Sequence, residues 1–258
     1  MHLAQSRTPV SHRDRNGERG VALILALMVM LFLMATGTAL LLTTTAESTI
    51  ARNFKIGSEA LYAADAVLEY AIDDLRTIHD WNTILSGAAQ STFINGPPSG
   101  PRLLADAQPI DPAEVVNLAN CHKVAACSDS EMDEISAERP WGANNPRWKP
   151  FAWGYLDDIA PAGTVSSPFF VMVMVSDDSA ENDGNPLRDG LVSCAQGQAT
   201  GCNPGTGVIA LRADAFGPFG AHKILELTVS RPDGGSEQDY NDASGQVGVR
   251  ILSWREVR

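Results

Sequence analysis

The sequence predicts an α+β fold in which one long N-terminal helix packs on a C-terminal antiparallel β-sheet. Three observations predict it. Residues 21–42 carry no charge, residues 43–78 continue without a proline and with apolar side chains at helical spacing, and the C-terminal third holds short apolar runs between Gly- and Pro-bearing turns. No ten-residue helical pattern separates those runs, which favours an antiparallel sheet over crossover units.

The first element is the uncharged segment. Its 22 residues would form a helix of roughly 33 Å, about the hydrocarbon thickness of a bilayer. Its Val, Leu, Ile and Phe residues favour insertion by on the order of 0.3 to 0.6 kcal/mol each, less a smaller penalty from Thr36, Gly37 and Thr38. Arg7, Arg13, Arg15 and Arg19 precede it, so the N-terminus is expected to stay cytoplasmic while the bulk of the chain crosses. A conventional secretory signal is the competing reading, with residues 21–34 as its apolar region and Ala35-Thr36-Gly37 as its cleavage site. Against it, the apolar run continues through Ala39, Leu40, Leu41 and Leu42 into a helix in phase with it.

That second helical half, residues 43–79, shows Ile50, Phe54, Leu61, Ala64, Leu68, Ala71, Ile72, Leu75 and Ile78 at steps of three, four or seven. These form one apolar stripe, with Arg52, Lys55, Glu59, Asp65, Glu69, Asp73 and Asp74 mostly elsewhere. A single helix over residues 21–78 would be roughly 87 Å long. Apolar all round at first and amphipathic later, it needs lipid or other helices around one half and a globular head against the other.

The head spans residues 80–258. It opens with a Pro- and Gly-rich connector over residues 93–112 and a polar loop bearing Cys121 and Cys127. The aromatic stretch that follows, with Trp141, Trp148, Phe151, Trp153 and Tyr155, is expected to pack a small core beneath loops, an exposed aromatic binding face being the alternative. Strands are then predicted at about residues 169–175, 207–215, 224–230 and 247–254, the first fully buried and the third alternating Leu225, Leu227 and Val229 against Glu226, Thr228 and Ser230.

Composition narrows the function. The net charge is −12, a surface that repels nucleic acid. Cys121, Cys127, Cys194 and Cys202 lack the spacing of a zinc or redox site. In a head exported from the cytoplasm they read as two disulfides, the short separations favouring Cys121 with Cys127 and Cys194 with Cys202, although three pairings exist. No nucleotide loop, zinc helix or nucleophile elbow occurs and the five histidines are scattered, so no enzyme is predicted. The one stretch with ligand chemistry is the acidic loop of residues 176–190. There Asp177, Asp178, Glu181, Asp183 and Asp189 could give a calcium ion oxygen ligands, with a solvated hairpin loop as the plainer reading and no other cofactor expected.

A short basic leader ending in Gly20, directly before an apolar helix that runs on into an amphipathic one, resembles a type IV prepilin. More narrowly, Arg19-Gly20-Val21-Ala22-Leu23, Glu47, Ala51-Arg52-Asn53, and Ala60 with Ala63-Ala64-Asp65-Ala66 look like the N-terminal region of PilX-type minor pilins, and the end of the chain, residues 249–257, is similar more weakly.

The resemblance implies a pilin-like fold and cleavage of residues 1–20 between Gly20 and Val21 by a prepilin peptidase, with methylation of the new Val21 amine. It also implies a subunit held in the inner membrane by residues 21–42 and later carried into an extracellular pilus. Most pilins have glutamate at the fifth mature position, here Leu25. PilX-type minor pilins and the tip pseudopilin of type II secretion lack it too, which points to the apex of a filament and away from its shaft. The implied function is a minor pilin at or near the tip that helps initiate pilus assembly, with other minor pilins, the major pilin and a large tip adhesin as partners. The alternatives are a tip pseudopilin of type II secretion and a membrane-tethered periplasmic binding module. The cluster of Thr36, Gly37, Thr38 and Thr43-Thr44-Thr45 suits ordinary transmembrane tolerance of such residues, or, more sharply, a weak point where the helix stretches on leaving the bilayer.

Overall fold

The structure is a computed structural model describing residues 18–78, 80–159, 167–180, 185–189, 207–231 and 248–257. Its first element, α1, is an unbroken α-helix over Glu18–Leu75. The chain divides into two compact units, residues 1–52 and 53–258, and α1 contributes to both.

Within the first unit the described side chains from Gly20 onward are exposed, the large apolar ones by 53% to 72% between Val21 and Leu42. Such a surface is unfavourable in water by roughly 1.5–3 kcal/mol per large side chain and favourable in lipid. The threonines of this stretch leave no hydroxyl to be solvated. Thr36 donates to Phe32 O at 3.0 Å, Thr38 to Met34 O at 2.8 Å and Thr44 to Leu40 O at 2.9 Å, each one turn back along the same helix. The helix stays α-helical through this cluster.

In the second unit α1 buries Ala60, Ala63, Ala64, Val67, Leu68, Ala71, Ile72 and Leu75. This stripe differs from the predicted one at its start, because Ile50 and Phe54 remain 68% and 76% exposed. The buried ridge begins with alanines, which pack in the shared core but weigh little in a hydropathy pattern.

The sheet has five strands, β3 (Lys149–Tyr155), β4 (Phe170–Asp177), β5 (Val208–Phe216), β6 (His222–Ser230) and β7 (Arg250–Val257). They lie in the order β3-β4-β5-β6-β7, every pair antiparallel. The predicted α+β arrangement of one long helix and an antiparallel sheet is therefore borne out. Alternation divides the side chains between two layers. Val171, Val173, Val175, Ile209, Leu211, Ala213, Leu225, Leu227 and Val229 belong to the core shared with α1, while Phe170, Met172 and Met174 join a second core on the opposite face. Every residue of β4 is buried, which is why its sequence reads as a continuous apolar run.

The second core is covered by α3 (Pro112–Cys121), through Val115 and Ala119, and by Trp148 and Trp153. The sequence suggested a polar loop where α3 forms. The helix has local signals that compensate for its short length: Asp111 accepts from the N–H of Ala113, Pro112 opens the first turn, and His122 closes the last in a left-handed conformation. Before α3 lie the one-turn helix α2 (Asn82–Leu85) and a two-residue hairpin, β1 (Arg102–Leu103) with β2 (Pro109–Ile110). After it comes the one-turn helix α4 (Asp129–Met132).

Strand β3, which the sequence left among loop aromatics, breaks its own alternation. A bulge between Pro150 and Ala152 places Phe151 and Ala152 together in the α1-side core. Its outer edge is covered by the segment following α2: Ser91 N–H donates to Phe151 O at 2.9 Å, Trp153 N–H to Phe93 O at 3.1 Å and Asn95 N–H to Trp153 O at 2.9 Å.

Candidate functional site

Gly20 and Val21, the expected cleavage pair, sit in the first turns of α1, and Leu25 follows one turn on with 57% of its surface exposed. The described residues contain one helix long and apolar enough to cross a membrane; its most apolar window has mean hydropathy 2.5 and no part of that window is buried.

In the head, Cys121 and Cys127 form a disulfide with Cα atoms 6.0 Å apart, closing the turn that leaves α3. Cys194 and Cys202 lie outside the described residues. Of the acidic-loop residues, Asp177 is buried at the end of β4. Asp178 accepts from the N–H of Ala180 at 3.2 Å. Asp189 accepts the N–H groups of Gly207 and Val208 at 2.7 and 3.2 Å, tying its own segment to the start of β5. Burial pushes the Asp189 carboxyl up to about 6, the two N–H donors only partly opposing it. Glu181 and Asp183 lie outside the described residues, and among the described residues no group of three or more His, Cys, Asp or Glu side chains is placed to hold a metal.

The outward face of the sheet carries a charged cluster that no motif announces. Arg212 on β5, Glu226 on β6 and Arg255 on β7 are opposite one another in register. Arg212 Nη1 reaches Glu226 Oε1 at 3.5 Å and Arg255 Nε donates to Glu226 Oε2 at 2.9 Å. Beside this row Asp214, 1% exposed, accepts from Arg212 Nε at 2.9 Å and lies 2.8 Å from His222 Nε2. Burial alone would raise the Asp214 carboxyl; the His222 hydrogen bond and the Arg212 charge outweigh it and hold the group below its ordinary value. Period-two alternation predicts that residues 212, 214 and 226 face outward, but only strand register shows that they meet.

A cleft of about 630 Å³ opens over this face. Ala210, Thr228 and Ser253 are small lining residues from three adjacent strands, and Trp141 and Glu138 line it from the segment between α4 and β3. That segment is pinned from within. Asn145, fully buried, accepts from Trp141 N–H and donates to Met132 O and Glu134 O, all at 3.0 Å. Arg139, 6% exposed, donates to Met132 O at 2.8 Å, and Arg147 pairs with Asp133. Asn120 of α3 clamps the backbone of Trp148, accepting its N–H at 2.7 Å and donating to its carbonyl at 3.0 Å. Of the predicted aromatic group, Trp148, Phe151 and Trp153 are core residues, whereas Trp141 keeps 43% of its surface exposed.

A membrane-length apolar helix that becomes amphipathic and packs on an antiparallel sheet is a pilin-like arrangement. Residues 19–69, 51 of the 258, match the family model described as PilX N-terminal. Residues 19–69 therefore form a PilX-type N-terminal region, and the resemblance read from Arg19 to Ala66 is borne out over that segment. Over that segment the match supports a type IV pilus minor pilin in general terms. Neither the search of curated proteins nor that of solved structures found a match.

Proposed function

We propose that this chain is a minor pilin that acts at or near the tip of a type IV pilus and helps initiate its assembly, after cleavage between Gly20 and Val21 and methylation of the Val21 amine. The observation that carries the reading is an α1 apolar on every side through residues 21–42, with Leu25 where a shaft subunit would use a carboxylate. A carboxylate buried among apolar helices is costly unless an amine from a neighbour neutralises it. A subunit with no neighbour above it has no use for that contact, and leucine removes the cost.

Residues 21–42 then serve two solvents. In the inner membrane, with the N-terminus cytoplasmic, they face lipid; in the filament the same surface packs against equivalent helices of other minor pilins and the major pilin. The disulfide-closed head is carried outward. The exposed Ile251, Leu252 and Trp254 on β7 offer apolar surface to a neighbouring subunit.

Two measurements test this. Mass spectrometry of the chain recovered from inner membrane and from sheared pili should find an N-terminus at methylated Val21; an intact leader, or a start near Thr38, overturns the processing step. Gold labelling of the head on intact pili should mark filament ends, and regular labelling along the shaft overturns the tip position.

A further inference from the structure

The cleft on the outward face of the sheet has the features of a small-ligand site. Its volume of about 630 Å³ falls within the roughly 300–1,000 Å³ common for such sites. We propose that it binds a short neutral oligosaccharide.

Charge argues for a neutral ligand. Four carboxylates meet three guanidinium groups around the cleft, so the charges nearly balance and an ion gains little net field there. The paired groups are already neutralised: Glu226 is shared by Arg212 and Arg255, and buried Asp214 holds Arg212 from beneath. Pairing fixes these side chains before any ligand arrives, so binding loses little side-chain entropy. A polyol suits such a lining because each hydroxyl both donates and accepts, and so can use a carboxylate oxygen and a guanidinium N–H side by side.

The apolar part of the lining argues for a ring. Trp141 is 43% exposed, and an indole face buries the C–H face of a pyranose well while its neighbours take the hydroxyls. The small residues Ala210, Thr228 and Ser253 leave room over the sheet, and two of them add hydroxyl groups. The shape is built in, because Asn145 and Arg139 lock the wall to backbone carbonyls.

The test uses the full chain in a detergent without a sugar headgroup. Neutral trisaccharides built from glucose, galactose or N-acetylglucosamine serve as probes, with saturation-transfer NMR and calorimetry as readouts. At least one probe should bind saturably, with signal transferred from aromatic protons. Trp141→Ala should weaken it at least tenfold and Arg255→Ala several-fold, both variants keeping the parent melting temperature because these side chains lie at the surface. Trp141→Phe should restore much of the affinity. Failure of every probe to saturate overturns the proposal. So does binding unchanged in Trp141→Ala, displacement of the sugar by equimolar inorganic phosphate, or protection of Trp141 from oxidation in assembled pili, which would mark the cleft as a surface between subunits.

Discussion

Asp74, in the last turn of α1, accepts the backbone N–H of Thr92 at 2.7 Å, so one carboxylate joins the long helix to the segment that covers the edge of β3. The Ser91 hydroxyl donates to the same oxygen, and Tyr70, one turn earlier, exchanges a 2.9 Å hydrogen bond with Thr92 Oγ1 while its ring packs edge-on against Phe93. Helix end, edge segment and sheet are thus tied together by hydrogen bonds. The Asp74→Ala variant should lose about 2 kcal/mol, the usual cost of removing a charged hydrogen-bond partner. Denaturant titration of the full chain should show the midpoint falling at unchanged slope. Asp74→Asn, which keeps an acceptor, should lose about half as much.

Covering the β3 edge also depends on a residue with no side chain. A Cβ on Gly154 would stand 2.7 Å from Phe93 Cζ and 3.1 Å from Asn95 Cβ, inside van der Waals contact with the segment that pairs along the strand. Gly154→Ala should therefore push Phe93 outward and cost about 1–3 kcal/mol, the range for overpacking a filled site. Hydrogen exchange separates this from a general loss of stability: the amides of Trp153 and Asn95, which bond across this edge, should exchange faster than those of β5.

How far the sequence revealed these features depends on whether the signal was local. Strands β4, β5 and β6 announced themselves because alternation, or a continuous buried run, repeats within each. Strand β3 did not, since its bulge at Phe151 sets two neighbouring side chains on one face. Helix α3 was hidden by its short length between a Pro- and Gly-rich connector and a polar loop, although Asp111 and Pro112 carried its start signal. The N-terminal helix was legible in its length and continuity, because a membrane-length apolar run followed by an amphipathic one needs no tertiary context, but where its buried ridge begins was not, since Ile50 and Phe54 stay exposed. The cleft was not: Trp141, Glu138, Arg212 and Arg255 are far apart in the chain and meet only through strand register and a loop pinned by Asn145.

Asp189 makes the head's stability depend on pH in a direction opposite to that of most carboxylates. It is 6% exposed, and burial raises its carboxyl to about 6 from an ordinary value of 3.8, against the pull of the Gly207 and Val208 N–H groups. Between about pH 4 and 6 the folded chain therefore binds more protons at this site than the unfolded chain does. Stability falls as pH rises through that window, by up to about 3 kcal/mol for a shift of roughly two pH units. Asp214, whose carboxyl is held below its ordinary value, acts in the other direction and lower down, its contribution present above about pH 4 and lost as pH falls further. Asp189→Asn separates the two, because an amide oxygen can accept the same two N–H groups without titrating. That variant should match the parent near pH 4 and exceed it at pH 7, with the difference growing between those limits. Thermal melts across that range read it directly, and a parent chain that gains stability on this account from pH 4 to 6 would show that the carboxyl is charged throughout.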